Sequence, residues 1–244
     1  MRTVEVRMKK KIIILSSVAL AAALLVGCLA YVFGVVLPEK RDREELEAAV
    51  KAYRTAKITL YTEKNAEYDD YEVDVAFLGD SLTDGYDLAR YYPDLLVENR
   101  GIGGETTHGL LARLEVSVLD LKPKVAVMLI GANNLDTMFE DYETIVKRLC
   151  EELPETKIVL LSLTSMGLDW GHKNHLAAFN NVKIKAIAAK YACTVVDLYT
   201  PLLNLETDEI HAEYTTDGGH LTHEGYVVFT ETVRPVLDKL LSES

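Results

Sequence analysis

The sequence predicts an α/β domain, a parallel sheet covered by helices on both faces, behind an N-terminal transmembrane helix. Three observations predict it. From Tyr71 onward, short continuous apolar runs alternate with longer amphipathic ones, the pattern of doubly buried strands and their crossover helices. The 244 residues are 49% hydrophobic and 26% charged, enough to bury one sizeable core rather than to stay disordered. Residues 12–37 carry no charge at all.

That uncharged run follows the basic cluster Arg7, Lys9, Lys10 and Lys11, and it is long enough to cross a bilayer with the N-terminus inside. A cleaved signal peptide has an apolar region of only about 7–15 residues, so the length favours a retained anchor over residues 1–37. An alternative sits within it: "LVGC", ending at Cys28, resembles the lipobox of bacterial lipoproteins, whose cysteine is lipidated after cleavage. Either route leaves the remainder outside the cell and attached to the membrane.

Residues 1–37 hold five basic residues and one acidic one, so residues 38–244 carry 21 basic against 37 acidic residues, a formal charge of −16. Such a field repels nucleic acid and other polyanions. Cys150 and Cys193 read as two buried free thiols, because one pair in a domain of this size is no disulfide framework.

Residues 38–70 begin with charged residues and alanines that favour helix and show no strand pattern, which predicts a partly helical stalk or linker ahead of a domain at 71–244. Within that domain "VDVAFLG" (73–79), "LLVENRG" (95–101), "KVAVMLIG" (124–131), "KIVLLSL" (157–163) and "TVVDLY" (194–199) read as strands. Helical spacing covers 106–120, 136–152, 173–191 and 222–241. In open sheets of this kind ligands sit beyond the carboxyl ends of the strands, so the residues that follow each strand are where chemistry belongs.

The first strand ends in Gly79-Asp80-Ser81, a turn that can expose a serine at the top of the sheet. The second runs into "NRGIGGETT" (99–107), whose glycines let backbone N–H groups approach a ligand; neither a dinucleotide nor a P-loop spacing is met. The third ends in "LIGANN" (129–134), with an asparagine amide able to donate into the same crevice. Near the C-terminus, "TTDGGHLTHEGY" (215–226) places Asp217 and His220 three apart, a spacing at which a carboxylate can hold an imidazole as a base. Together these supply a nucleophile, a base with its orienting acid, and donors for an oxyanion, the parts of acyl transfer through a covalent intermediate.

In these four blocks the sequence resembles the GDSL, or SGNH, hydrolase superfamily over about residues 73–241: Ser81 in "GDSL", Gly104 in "GIGGETT", Asn133 in "GANN" and His220 in "DGGH", with Asp217 ahead of it. The resemblance implies a flavodoxin-like three-layer α/β/α sandwich with a five-stranded parallel sheet in order 2-1-3-4-5. It further implies esterase or lipase activity without a cofactor or metal, closest to the platelet-activating-factor acetylhydrolase branch. It assigns Ser81, Asp217 and His220 to catalysis and the N–H groups of Ser81 and Gly104 with the Asn133 amide to the oxyanion hole. Two positions depart from the family pattern: Asn134 stands where an aspartate is frequent, and so does Glu105.

The expected substrate is a small-molecule, glycan or lipid ester with a short acyl group. An acyltransferase acting on cell-envelope glycans, or a silent glycan-binding module, are the competing expectations. His172 and His175, and likewise His220 and His223, lie three apart, but neither pair has a partner at a recognised zinc spacing. Trp170, the only tryptophan, lies in the 164–175 segment after the fourth strand, where it either lines a substrate pocket or packs on the domain.

Overall fold

The computed structural model describes Tyr31, Gly34, Val35 and residues 37–243. Among the described residues no helix is long and apolar enough to cross a membrane. The membrane segment expected over 12–37 lies, apart from four of its residues, outside them. The chain divides into two compact units, residues 1–55 and residues 56–244.

Helix α1, Leu37–Asn65, crosses from the first unit into the second. The linker expected over 38–70 includes this helix, whose last residues, 56–65, fall in the second unit. Tyr61 is buried within the second unit and donates its hydroxyl to the Gly101 carbonyl at 2.6 Å.

In the second unit β1 (Val75–Gly79), β2 (Val97–Gly101), β3 (Val125–Leu129), β4 (Lys157–Leu161) and β5 (Thr194–Val196) form one sheet, ordered β2-β1-β3-β4-β5 and parallel throughout. This is the flavodoxin-like order. The alternation of a pleated strand divides the core in two. Leu78, Ala126 and Met128 face Leu110, Ile145, Leu149 and Ile184 on one side. Phe77, Val127 and Leu129 face Tyr86, Phe229, Val233 and Leu237 on the other.

The first layer is carried by α4 (Thr107–Ala112), α5 (Tyr142–Glu152) and α6 (Asn174–Lys190). The second is carried by the short α2 (Ser81–Asp84) and α3 (Leu88–Tyr91) and, after α7 (Tyr199–Leu202), by the closing α8 (His223–Ser242). Each valine, leucine, isoleucine, methionine or phenylalanine so buried contributes about 1.5–3 kcal/mol. A two-stranded ribbon, β6 (Leu203–Asn204) and β7 (Glu209–Ile210), is inserted before α8.

Several elements are shorter than their sequence patterns. The helix expected over 106–120 breaks after Ala112 and resumes as a π-turn, Glu115–Leu119, because Arg113 turns inward. The one expected from 136 starts only at Tyr142, behind two 3₁₀ turns. The fifth strand stops at Val196 because the Asp197 carboxylate accepts the N–H groups of Tyr199 and Thr200 and starts a turn.

Register brings the chemistry together. Gly79 lies opposite both Gly101 and Leu129, so the turns after β1, β2 and β3 open at the same level of the sheet. Gly101 is obligatory there, because a Cβ at that position would collide with the backbone of Asp84 in α2.

Candidate active site

Asp80 caps α2 with its own side chain, accepting the Leu82 N–H at 3.1 Å, and this turn sets Ser81 at the carboxyl edge of the sheet. Burial pushes the Asp80 carboxyl up to about 6. The last loop meets Ser81 from the side of α8. The Nε2 of His220 stands 3.0 Å from the Ser81 hydroxyl, and its Nδ1 stands 2.7 Å from Asp217 Oδ2.

The other oxygen of Asp217 accepts the backbone N–H groups of His220 at 2.8 Å and Gly219 at 2.9 Å. The bonds from the His220 backbone first, then the His220 ring and the Gly219 backbone, lower the carboxyl to about 2. Thr215 ties the loop shut, donating to the His220 carbonyl and accepting from Gly218, each at 2.8 Å. The cap of α8 is Thr222, which leaves Asp217 free for the histidine.

The glycine loop after β2 and the turn after β3 carry the two other residues expected at the site. Gly104 adopts a left-handed φ of 73° and is exposed. Asn133, in the 3₁₀ turn after β3, donates one amide N–H to the Glu105 carbonyl at 2.9 Å, which leaves its second N–H for a ligand. Ser81, Asn133 and His220 line one small cavity of about 40 Å³, together with Thr164, Met166 and Trp170. Gly104 is not among the residues lining that cavity; it precedes Glu105, to whose carbonyl Asn133 is tied.

The departures from the family pattern are accommodated. Asn134 donates to Thr107 Oγ1 at 2.9 Å and accepts the Thr107 N–H at 3.3 Å, so position 134 still ties the third block to the second. Glu105 is buried against Arg113, whose Nε donates to its carboxylate at 2.9 Å.

The sequence reading missed Arg113. Its guanidinium also donates to the Arg100 carbonyl at 2.9 Å, to Ser117 Oγ at 2.8 Å and to the Gly79 carbonyl at 3.0 Å, joining the ends of β1 and β2 to the Glu105 loop. The available signal was a lone arginine inside the apolar run "GLLARLEVSVL". Asp84 was missed too: it accepts the Gly103 N–H at 2.9 Å and pairs with Lys57 at 2.6 Å, bracing the glycine loop. Cys150 and Cys193 are free and half-buried with sulfurs 3.6 Å apart, and burial pushes the Cys193 thiol up to about 12.

A serine in reach of an imidazole that is itself held by a carboxylate is the arrangement of a nucleophile with its general base. Comparison with known proteins agrees. Residues 77–228 match the GDSL-like lipase/acylhydrolase family. The chain belongs to that family.

A curated relative, the alpha2 subunit of human platelet-activating factor acetylhydrolase IB, is 30% identical over 190 residues, covering 72% of this chain and 80% of the relative. The same subunit from the rat matches at the same identity and coverage. Among solved structures, a GDSL-like lipase from Bacteroides thetaiotaomicron superposes with a TM-score of 0.64 at 25% identity, covering 75% of this chain and 97% of that one. An acetylxylan esterase from Geobacillus stearothermophilus has the same fold, with a TM-score of 0.56 at 21% identity over 69% of this chain and 95% of its own. The protein is thus an enzyme of GDSL type that acts on ester bonds.

Proposed function

We propose that this GDSL hydrolase is a serine esterase that removes short acyl groups from carbohydrate or lipid esters through an acyl-enzyme on Ser81. The Ser81–His220–Asp217 chain, with contacts of 3.0 and 2.7 Å, carries the proposal. Ser81 Oγ attacks the ester carbonyl carbon while its proton passes to His220 Nε2. Asp217 accepts the Nδ1–H, fixing the tautomer and stabilising the imidazolium. The N–H groups of Ser81 and Gly104 and the second amide hydrogen of Asn133 receive the oxyanion. Collapse expels the alcohol, which takes the proton from His220, and water repeats the sequence on the acyl-enzyme to release the acid.

The small cavity beside Ser81, about 40 Å³, supports a short acyl group, since a single water already requires about 10–15 Å³ of such space. The uncharged run 12–37 supports a membrane-tethered enzyme whose esterase domain lies outside the cytoplasm, through a retained helix or through a lipid on Cys28.

The test is nitrophenol release from p-nitrophenyl acetate and longer acyl homologues by the purified full-length protein, beside Ser81→Ala. Serine-dependent release that falls steeply with chain length is expected, along with an organophosphonate adduct on Ser81 by mass spectrometry. Equal release by a folded Ser81→Ala variant would overturn the proposal. Release to a glycan acceptor but not to water would reassign the enzyme as an acyltransferase.

A further inference from the structure

An ester has two sides, and the cavity at Ser81 has room for one of them. Ala132 and Asn133, which wall that cavity, also wall a second and larger groove of about 430 Å³ between the turn after β3 and the start of α6. The rest of this groove is formed by residues 134–137 of that turn, with Asp136 and Thr137 among them, and by His172, Lys173, His175 and Leu176. Accepting the esterase reading of Ser81, we infer that the groove is the alcohol-side subsite and that it takes a neutral, polyhydroxylated alcohol, a sugar, rather than a lipid chain.

The chemistry of the walls decides between them. An acyl or alkyl chain gains about 0.8 kcal/mol per methylene only when apolar surface replaces water around it. Here the walls are mixed. Leu135 and Leu176 would receive a chain, but it would also cover a carboxylate, two imidazoles, a hydroxyl and the Asn133 and Asn134 amides, whose lost hydration it cannot replace. A sugar can stack on the former and hydrogen-bond the latter. Asp136, His172 and His175 are exposed, and their side chains have no hydrogen-bond or ion-pair partner among the described residues. They offer an acceptor and mixed donor-acceptors in the lining of the groove, the complement of sugar hydroxyls.

Both signs of charge are present, Asp136 on one wall and Lys173 on the other. Lys173 is itself engaged, with its ammonium 4.3 Å from the centre of the Trp170 ring. An anionic headgroup therefore meets a carboxylate as well as a cation, under the field of an acidic domain. At the junction, the Trp170 ring lines the Ser81 cavity and supplies a flat face beside the polar groove.

The experiment compares kcat/KM of the full-length protein on three probes: O-acetylated xylo- and chito-oligosaccharides, acetyl-glycerophosphocholine esters in micelles, and p-nitrophenyl acetate. Wild type is measured beside Asp136→Ala and His175→Ala. Selectivity for the acetylated oligosaccharide over p-nitrophenyl acetate should fall at least tenfold in each variant, through KM. The deacetylated oligosaccharide should inhibit p-nitrophenyl acetate hydrolysis by wild type competitively.

Hydrolysis of p-nitrophenyl acetate with no release from the oligosaccharides would overturn the inference and leave the esterase reading standing. A preference for the phospholipid ester that the same substitutions abolish would overturn it too. Loss of serine dependence on every probe would instead remove the esterase reading on which it rests.

Discussion

The side-chain amide of Asn133 is held to the backbone carbonyl of Glu105 at 2.9 Å, and the Glu105 carboxylate is held in turn by Arg113 at 2.9 Å. The amide proposed to receive the oxyanion is thus aimed by a buried ion pair that also grips the carbonyl ends of β1 and β2. Preorganisation of this kind lets a donor act without reorienting when charge develops.

Asn133→Ala should lower kcat for p-nitrophenyl acetate by about 10²–10³, the usual cost of one oxyanion donor. Asn133 is exposed, so the far-UV spectrum and unfolding midpoint should stay near wild type. A folded variant with wild-type kcat would show that the amide does not contact the transition state.

Asp217→Asn should cost about 10⁴ in kcat, because the amide NH2 can donate to Nδ1 and hold the wrong imidazole tautomer, and a neutral amide does not stabilise the imidazolium as the carboxylate does. Its stability effect has a defined pH window. The folded carboxyl is lowered to about 2 from 3.8, so its contribution is present above about pH 4 and is lost as the pH falls toward 2. With the side chain half exposed, that contribution is small after solvent screening. Denaturant unfolding of both proteins at pH 7 and pH 2.5 should show any gap between them closing at the lower pH.

Strand ends were legible in the sequence because strands buried on both faces read as unbroken apolar runs, and each stops where a polar turn begins. Ser81 and Asn133 fell at such stops, His220 in the polar loop before the last helix, and the three line one cavity. The Glu105–Arg113 pair was illegible because its partners lie eight residues apart across a helix cap, where no periodicity links them. Tyr61 was hidden for a related reason. It lies in a helix of charged residues and alanines, and its partner Gly101 is 40 positions away. Helix starts were overrun wherever the chain first made 3₁₀ turns to shape the site, as before α5.

Asp80→Asn should stabilise the protein at neutral pH and do so less in acid. The folded carboxyl is raised by burial from 3.8 to about 6, so the native state holds a proton that the unfolded chain has released between those values. The stability tied to that proton is complete below about pH 4 and is lost as the pH rises through about 6. Asparagine keeps an oxygen for the Leu82 N–H and carries no charge to bury. The stability difference between variant and wild type should therefore grow by about 2–3 kcal/mol from pH 4 to pH 7.5, since each tenfold difference in proton affinity between the folded and unfolded carboxyl is worth about 1.36 kcal/mol. A difference independent of pH would show that Asp80 does not titrate in this range.

Residues 56–65 should prove part of the folding unit rather than a dispensable stalk. Tyr61 is 2% exposed, its ring lies 4.9 Å from the Arg100 guanidinium, and its backbone carbonyl accepts from Arg100 Nη1 at 3.2 Å. Asn65 adds a bond to the Val116 carbonyl at 2.8 Å. Removing a buried aromatic side chain costs about 3–5 kcal/mol, a large part of the roughly 5–15 kcal/mol that typically holds a domain together. Tyr61→Ala should therefore lower the urea midpoint strongly at an unchanged slope, and Tyr61→Phe should cost about 1 kcal/mol through the lost bond to Gly101. Since Gly101 ends β2 just ahead of the glycine loop, both variants should also lose kcat. A chain starting at Tyr71 should unfold at lower urea than one starting at Ala56, and equal midpoints would place the domain boundary after the helix.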